Sequence, residues 1–147
     1  MATTSTEHSV EVAARLRLAV TRTARRLRQE AGVDLTPSLA AALGTIDVHG
    51  PLTPSELAER ERVQRPTATR LISRLSEAGL VDRTSDPSDG RVSLVSVTPE
   101  GRALMRRLRT RKTAFLAKRL RDLDPEEVAT LDRAAAILER LLERDSA

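Results

Sequence analysis

Six side chains that can form hydrogen bonds, Arg65, Thr67, Thr69, Arg70, Ser73 and Arg74, lie within one stretch of ten residues. A guanidinium presents its donors as a planar fork that matches phosphate oxygens or the paired acceptors of a base edge, and hydroxyls can meet either. Further on, Asp86-Pro87-Ser88-Asp89-Gly90-Arg91 sets one arginine among turn formers, with Asp89 two residues away to brace its guanidinium by a charge-assisted hydrogen bond. These are side chains suited to gripping a polyanion. Catalytic chemistry, by contrast, lacks its reagents. The chain has no cysteine, so thiol redox sensing and thiolate metal sites are excluded, and its two histidines, His8 and His49, do not by themselves make a zinc site. No nucleophile elbow, phosphate-binding glycine loop or metal-ligand cluster occurs, and the adjacent Glu126 and Glu127 suit the start of a helix. Neither an enzyme nor a bound metal or cofactor is expected. Phe115 is the one aromatic residue, which disfavours the single-strand nucleic-acid folds that stack bases on aromatic rings.

The elements that must hold these groups announce their starts. Thr36-Pro37, Thr53-Pro54, Thr98-Pro99 and Asp124-Pro125 each put a side-chain acceptor at N-cap and a proline at N1, predicting helices that begin near Pro37, Pro54, Pro99 and Pro125. Glu56 and Glu127, three residues after Thr53 and Asp124, complete capping boxes. Ahead of them Val12, Leu16, Ala19, Thr23 and Leu27 mark a long first helix that fades near Gly32. Over residues 64–78 the stripe Ala68, Leu71, Ile72, Leu75 predicts a helix, and Gly79 stands where a left-handed residue closes one. Residues 81–84 and 91–97, on either side of the turn-rich 85–90, read as strand, loop, strand.

Two helices joined by a short turn and followed by a hairpin form a winged helix-turn-helix, so the fold expected is mainly α with a small β-hairpin wing. In such folds the second helix enters the major groove of duplex DNA and the wing reaches the flanking backbone or minor groove. With the stripe facing inward, the opposite face of the helix is Pro66, Arg70, Ser73 and Glu77, flanked by Thr69 and Arg74. Arg70 is then set for a bidentate contact to guanine, Thr67 and Thr69 for base edges, a thymine methyl or phosphate, and Arg65 and Arg74 for phosphates. Arg91 at the wing tip suits a narrow minor groove. An ordinary solvated helix face would show the same polarity, and the hairpin that follows is what favours the DNA reading.

Charge identifies little by its sum, a formal +4, and more by its distribution. Residues 99–121 carry nine basic side chains and one acidic, residues 122–147 three basic and eight acidic, and residues 52–98 seven of each. The basic and acidic helices are expected to pack as a complementary pair, with the basic one also contributing to a field that steers DNA inward. The neutral middle keeps open an alternative, a winged-helix protein that binds DNA without sequence preference or serves as a protein-interaction module. In the last helix Val128, Leu131, Ala135, Leu138 and Leu142 form one apolar seam, and Ala134, Ile137 and Leu141 a second beside it. One seam suffices for packing within a subunit and two suggest a second partner, although a wide core-facing helix of a monomer would show the same pattern. No apolar run approaches a membrane span or a signal sequence, so a soluble cytoplasmic protein is expected.

The runs Leu52-Thr53-Pro54-Ser55-Glu56-Leu57-Ala58, Thr69-Arg70-Leu71-Ile72-Ser73-Arg74-Leu75, Ala78-Gly79-Leu80-Val81, Asp89-Gly90-Arg91 and Leu94-Val95-Ser96-Val97-Thr98-Pro99-Glu100-Gly101 resemble the MarR family of bacterial transcription regulators. The resemblance implies one MarR-like domain over residues 1–147, with dimerisation helices in 8–35 and 99–147 and the winged helix-turn-helix in 52–98. It implies a homodimer that binds a palindromic operator, acts as a ligand-responsive repressor, and contacts DNA through Thr69 and Arg70 and through the wing pair Asp89 and Arg91. Family pockets lie between the dimerisation helices and the DNA-binding lobe, which makes Arg17, His49 and Arg102 candidates for binding an anionic small-molecule effector. His49, just before Gly50-Pro51, also suits a helix C-terminus, where the dipole favours a cation.

Overall fold

A computed structural model of the chain describes residues 2–32 and 35–143, in the order α1 (Ala2–Ala31), α2 (Pro37–His49), α3 (Pro54–Glu61), α4 (Arg65–Glu77), β1 (Val81–Ser85), β2 (Ser93–Val97), α5 (Pro99–Leu120) and α6 (Pro125–Glu143). The four proline-marked helix starts are where the capping rules put them. Thr36 Oγ1 accepts from the Leu39 N–H at 3.3 Å and Thr98 Oγ1 from the Gly101 N–H at 3.0 Å. Two starts are reciprocal boxes. Thr53 Oγ1 accepts from the Glu56 N–H while Glu56 Oε2 accepts from the Thr53 N–H, and Asp124 and Glu127 repeat the exchange. Each such cap stabilises its helix by about 1 kcal/mol.

The core belongs to the middle of the chain. Leu39, Ala42, Leu43 and Ile46 of α2, Leu57 and Ala58 of α3, Ala68, Ile72 and Leu75 of α4, and Leu52, Leu80, Val81 and Val95 are buried together. The end of α4 is a Schellman motif: Gly79 adopts φ +73°, its N–H reaches the Ser76 carbonyl, and the Leu80 N–H reaches back to the Leu75 carbonyl at 2.9 Å. That turn delivers Val81 straight into the core. β1 and β2 pair antiparallel with Val81 opposite Val97 and Ser85 opposite Ser93. Leu52 extends the hairpin by a further bridge, exchanging both backbone hydrogen bonds with Val95. Arg62, in the turn between α3 and α4, takes a left-handed φ of 54°, and the Val63 N–H closes back on the Ala58 carbonyl.

α5 starts against this lobe and runs out along α1. Arg111 of α5 donates from Nη1 to the Ala31 carbonyl at 2.9 Å and so gives a partner to an acceptor in the last turn of α1. Three expectations need correction. The basic α5 and the acidic α6 do not pack as a pair within the chain: among the described residues no ion pair joins them, and α6 buries none of its side chains. Opposite charges mark complementary surfaces without specifying that both belong to one copy. The second strand begins at Ser93, because Arg91 and Val92 are used by the turn, where the Val92 N–H bonds the Asp89 carbonyl. α1 begins at Ala2, ahead of the apolar period, since residues 2–9 carry no large apolar side chain to reveal it.

Candidate nucleic-acid interface

Burial of Ala68, Ile72 and Leu75 fixes the rotation of α4, with Leu71 half-buried beside them. Arg65, Pro66, Thr69, Arg70 and Arg74 are accordingly exposed, and Thr67 and Ser73 are half-buried at the edges of the outward face. Thr67 Oγ1 accepts from Arg70 Nη2 at 3.4 Å, a light tether that leaves most guanidinium donors for another partner. The outward row Pro66, Arg70, Ser73 expected from the helical period is therefore present.

One side chain of this candidate surface escaped the sequence reading. Arg83 of β1 donates from Nη2 to Ser73 Oγ at 2.8 Å and thereby joins the hairpin to the outward face of α4. Strand alternation carries the signal that finds it, since Arg83 lies two residues from buried Val81 and so shares its side of the hairpin, the side on which α4 packs.

The wing tip is built from short acceptors. Asp86 Oδ1 accepts from both the Ser88 N–H and the Ser88 hydroxyl, and these bonds, the hydroxyl first, hold the Asp86 carboxyl below the usual carboxylate range. Asp89 Oδ1 accepts from the Arg91 N–H at 3.1 Å and from Arg91 Nε at 3.3 Å. The brace expected between the two is thus formed, and it holds a side chain that is 94% exposed. Screening by solvent makes that ion pair a device for orientation rather than stability.

The three effector candidates fall on different elements. Arg17 is exposed on α1, His49 is exposed at the end of α2, and Arg102 on α5 lies 3.6 Å from Asp47. A separate cavity of about 450 Å³ opens between α1 and α5, lined by Arg26, Glu30, Phe115, Lys118, Arg119 and Asp122. There Arg26 and Arg119 sit over the Phe115 ring, 5.7 and 5.2 Å from its centroid, so a flat ligand stacking on that ring competes with two guanidinium groups. Among the described residues no group of three His, Asp or Glu side chains could hold a metal ion, and no helix is long and apolar enough to cross a membrane.

Comparison with known proteins agrees with this architecture. The MarR family model matches residues 35–93. The chain is 38% identical to an uncharacterized HTH-type transcriptional regulator of Mycobacterium bovis, over 93% of this chain and 96% of that one. It is 32% identical to the HTH-type transcriptional repressor MdtR of Bacillus subtilis, over 76% of this chain and 72% of that one. Among solved structures, a putative transcriptional regulator of Pseudomonas aeruginosa superposes with a TM-score of 0.83 at 36% identity, covering 92% of this chain and 96% of its own.

Proposed function

This chain belongs to the MarR family of DNA-binding transcriptional regulators, and from that premise we propose that it is a repressor which binds a palindromic operator as a homodimer and releases it in response to a small ligand. The observation that carries the reading is the orientation of α4. Its apolar stripe is committed to the core, Arg70 faces outward at mid-helix, and the braced Arg91 extends the same surface at the wing. The likeness to MdtR, a repressor by name, supports repression over activation.

The homodimer is supported by what α6 lacks within the chain. Leu131, Ile137, Leu141 and Leu142 stand exposed along its two seams, as do Val12, Leu16 and Leu18 on α1. Helices that leave that much apolar surface uncovered within the chain suit one half of an interface. We propose the described parts of residues 8–35 and 99–147 as the dimerisation region and 52–98 as the reading lobe. For the effector, an anion suits the α1–α5 cavity, where Arg26, Lys118 and Arg119 outnumber Glu30 and Asp122. Arg17, His49 and Arg102 remain the proposed contacts for an anion seated nearer the lobe.

Selection of bound duplexes from fragments of the source genome tests the whole reading. A palindrome retained far more tightly than random DNA at physiological salt is expected; equal retention of both would leave only a non-specific binder. On the selected duplex, Arg70→Ala is expected to cost about 1–3 kcal/mol and to relax preference at one base pair of each half-site. Unchanged selectivity in the folded variant would remove Arg70 from the reading set. Arg91→Ala should weaken binding by about 1 kcal/mol or more with its unfolding midpoint unmoved, because the side chain is almost wholly in solvent. A collapse in stability would instead make Arg91 structural.

A further inference from the structure

The joint between the reading lobe and α5 contains a carboxylate whose charged partners both lie across the joint. Asp47, near the end of α2, has only 10% of its side chain exposed. Its Oδ1 lies 3.6 Å from Arg102 Nε, and its Oδ2 lies 3.6 Å from Arg109 Nη2. Arg102 and Arg109 are two helical turns apart on one face of α5, so a single carboxylate grips that helix at two levels. α2 is itself locked into the lobe by Leu39, Ala42, Leu43 and Ile46. The first turn of α5 is pinned to the lobe by the Thr98 bonds to Leu80 and Gly79, and beyond it the contacts across the joint include Leu104 and Met105, half-buried against the core. Apolar contact is non-directional and tolerates a swing about that pinned turn. Two ion pairs on the two oxygens of one carboxylate resist it, because swinging or rotating α5 lengthens at least one of them.

We propose that Asp47 is a positioning residue for DNA recognition: by holding Arg102 and Arg109 it sets the angle between α5 and the lobe, and through it the separation of the two α4 helices in the dimer. The inference rests on the palindromic dimer proposed above. Half-sites read by such a dimer lie about 34–36 Å apart, one turn of DNA, so a change of angle at the joint is read as a change of register along the duplex. Asp47 touches no base or phosphate in this scheme. Its effect is confined to the pairing of two half-sites.

The test uses a palindromic duplex selected by the wild-type protein from a randomised library, two versions with the spacer lengthened or shortened by one base pair, and an isolated half-site. Asp47→Asn is expected to bind the selected duplex about ten-fold more weakly. It should also lose most of the discrimination between spacers while binding the half-site as wild type does. Arg109→Gln, which alters the more exposed end of the clamp, should shift the spacer profile in the same direction and keeps the test decisive if Asp47→Asn folds poorly. An equal loss on every duplex, half-site included, or an unaltered spacer profile would overturn the role of Asp47. If the wild-type protein itself ignores spacing, the palindromic-dimer reading falls and this proposal with it. A sharp wild-type preference that both variants retain sinks the proposal alone.

Discussion

Gly101→Ala should unfold well below the wild-type protein, with a loss of about 3 kcal/mol, which for a chain of this size lowers Tm by roughly 6–12 °C. A Cβ at this position would stand 2.1 Å from the Leu80 carbonyl oxygen, 3.0 Å from its carbon and 2.9 Å from Val97 Cγ2. The carbonyl has no freedom to retreat, since it accepts the Thr98 N–H at 3.0 Å, and Thr98 in turn donates its hydroxyl to the Gly79 carbonyl at 2.7 Å. Nor can the first turn of α5 back away without giving up the Thr98 cap on the Gly101 N–H. Gly90→Ala serves as the control, because nothing lies within 4 Å of the added carbon there. Urea or thermal melts of the two variants compare a blocked site with an open one, and equal midpoints would show that the α5 start has slack.

The second large effect belongs to the outer helices. Ile137 is 49% exposed in the single chain and lies on the second seam of α6. Ile137→Glu puts a charge into the proposed dimer interface, where burying it unpaired costs several kcal/mol. Sedimentation should then report a monomer, and affinity for the selected palindrome should fall by about 10²–10⁴, the gain that linking two binding sites otherwise provides. Half-site binding should persist, because the core that holds α4 draws on α2, α3, α4 and the hairpin and on nothing from α6. A variant that stays dimeric with full operator affinity would move the interface elsewhere.

How far the sequence could be read depended on the range of the interaction. Helix starts were legible because an N-cap and an N1 proline act within four residues, and so was the closure of α4, which Gly79 fixes locally. The outward face of α4 followed from periodicity alone, as did the Asp89–Arg91 brace from a spacing of two. Contacts between elements were not legible in the same way. Arg83 meets Ser73 only because the Schellman turn folds β1 back along α4, and Asp47 meets Arg102 and Arg109 across more than fifty residues of chain. Net charge misled about α5 and α6, since complementarity was visible and the identity of the partner was not.

The bond between Arg83 and Ser73 has a consequence for how such a regulator changes its target over generations. It couples a residue on the outward face of α4, proposed above to read bases, to the strand that carries the wing, so a substitution at position 73 also frees the Arg83 side chain while Val81 and Val95 keep the hairpin seated. Drift in the central bases of an operator and drift in its flanks would then be correlated, and positions 73 and 83 should vary together among descendants that have acquired new operators.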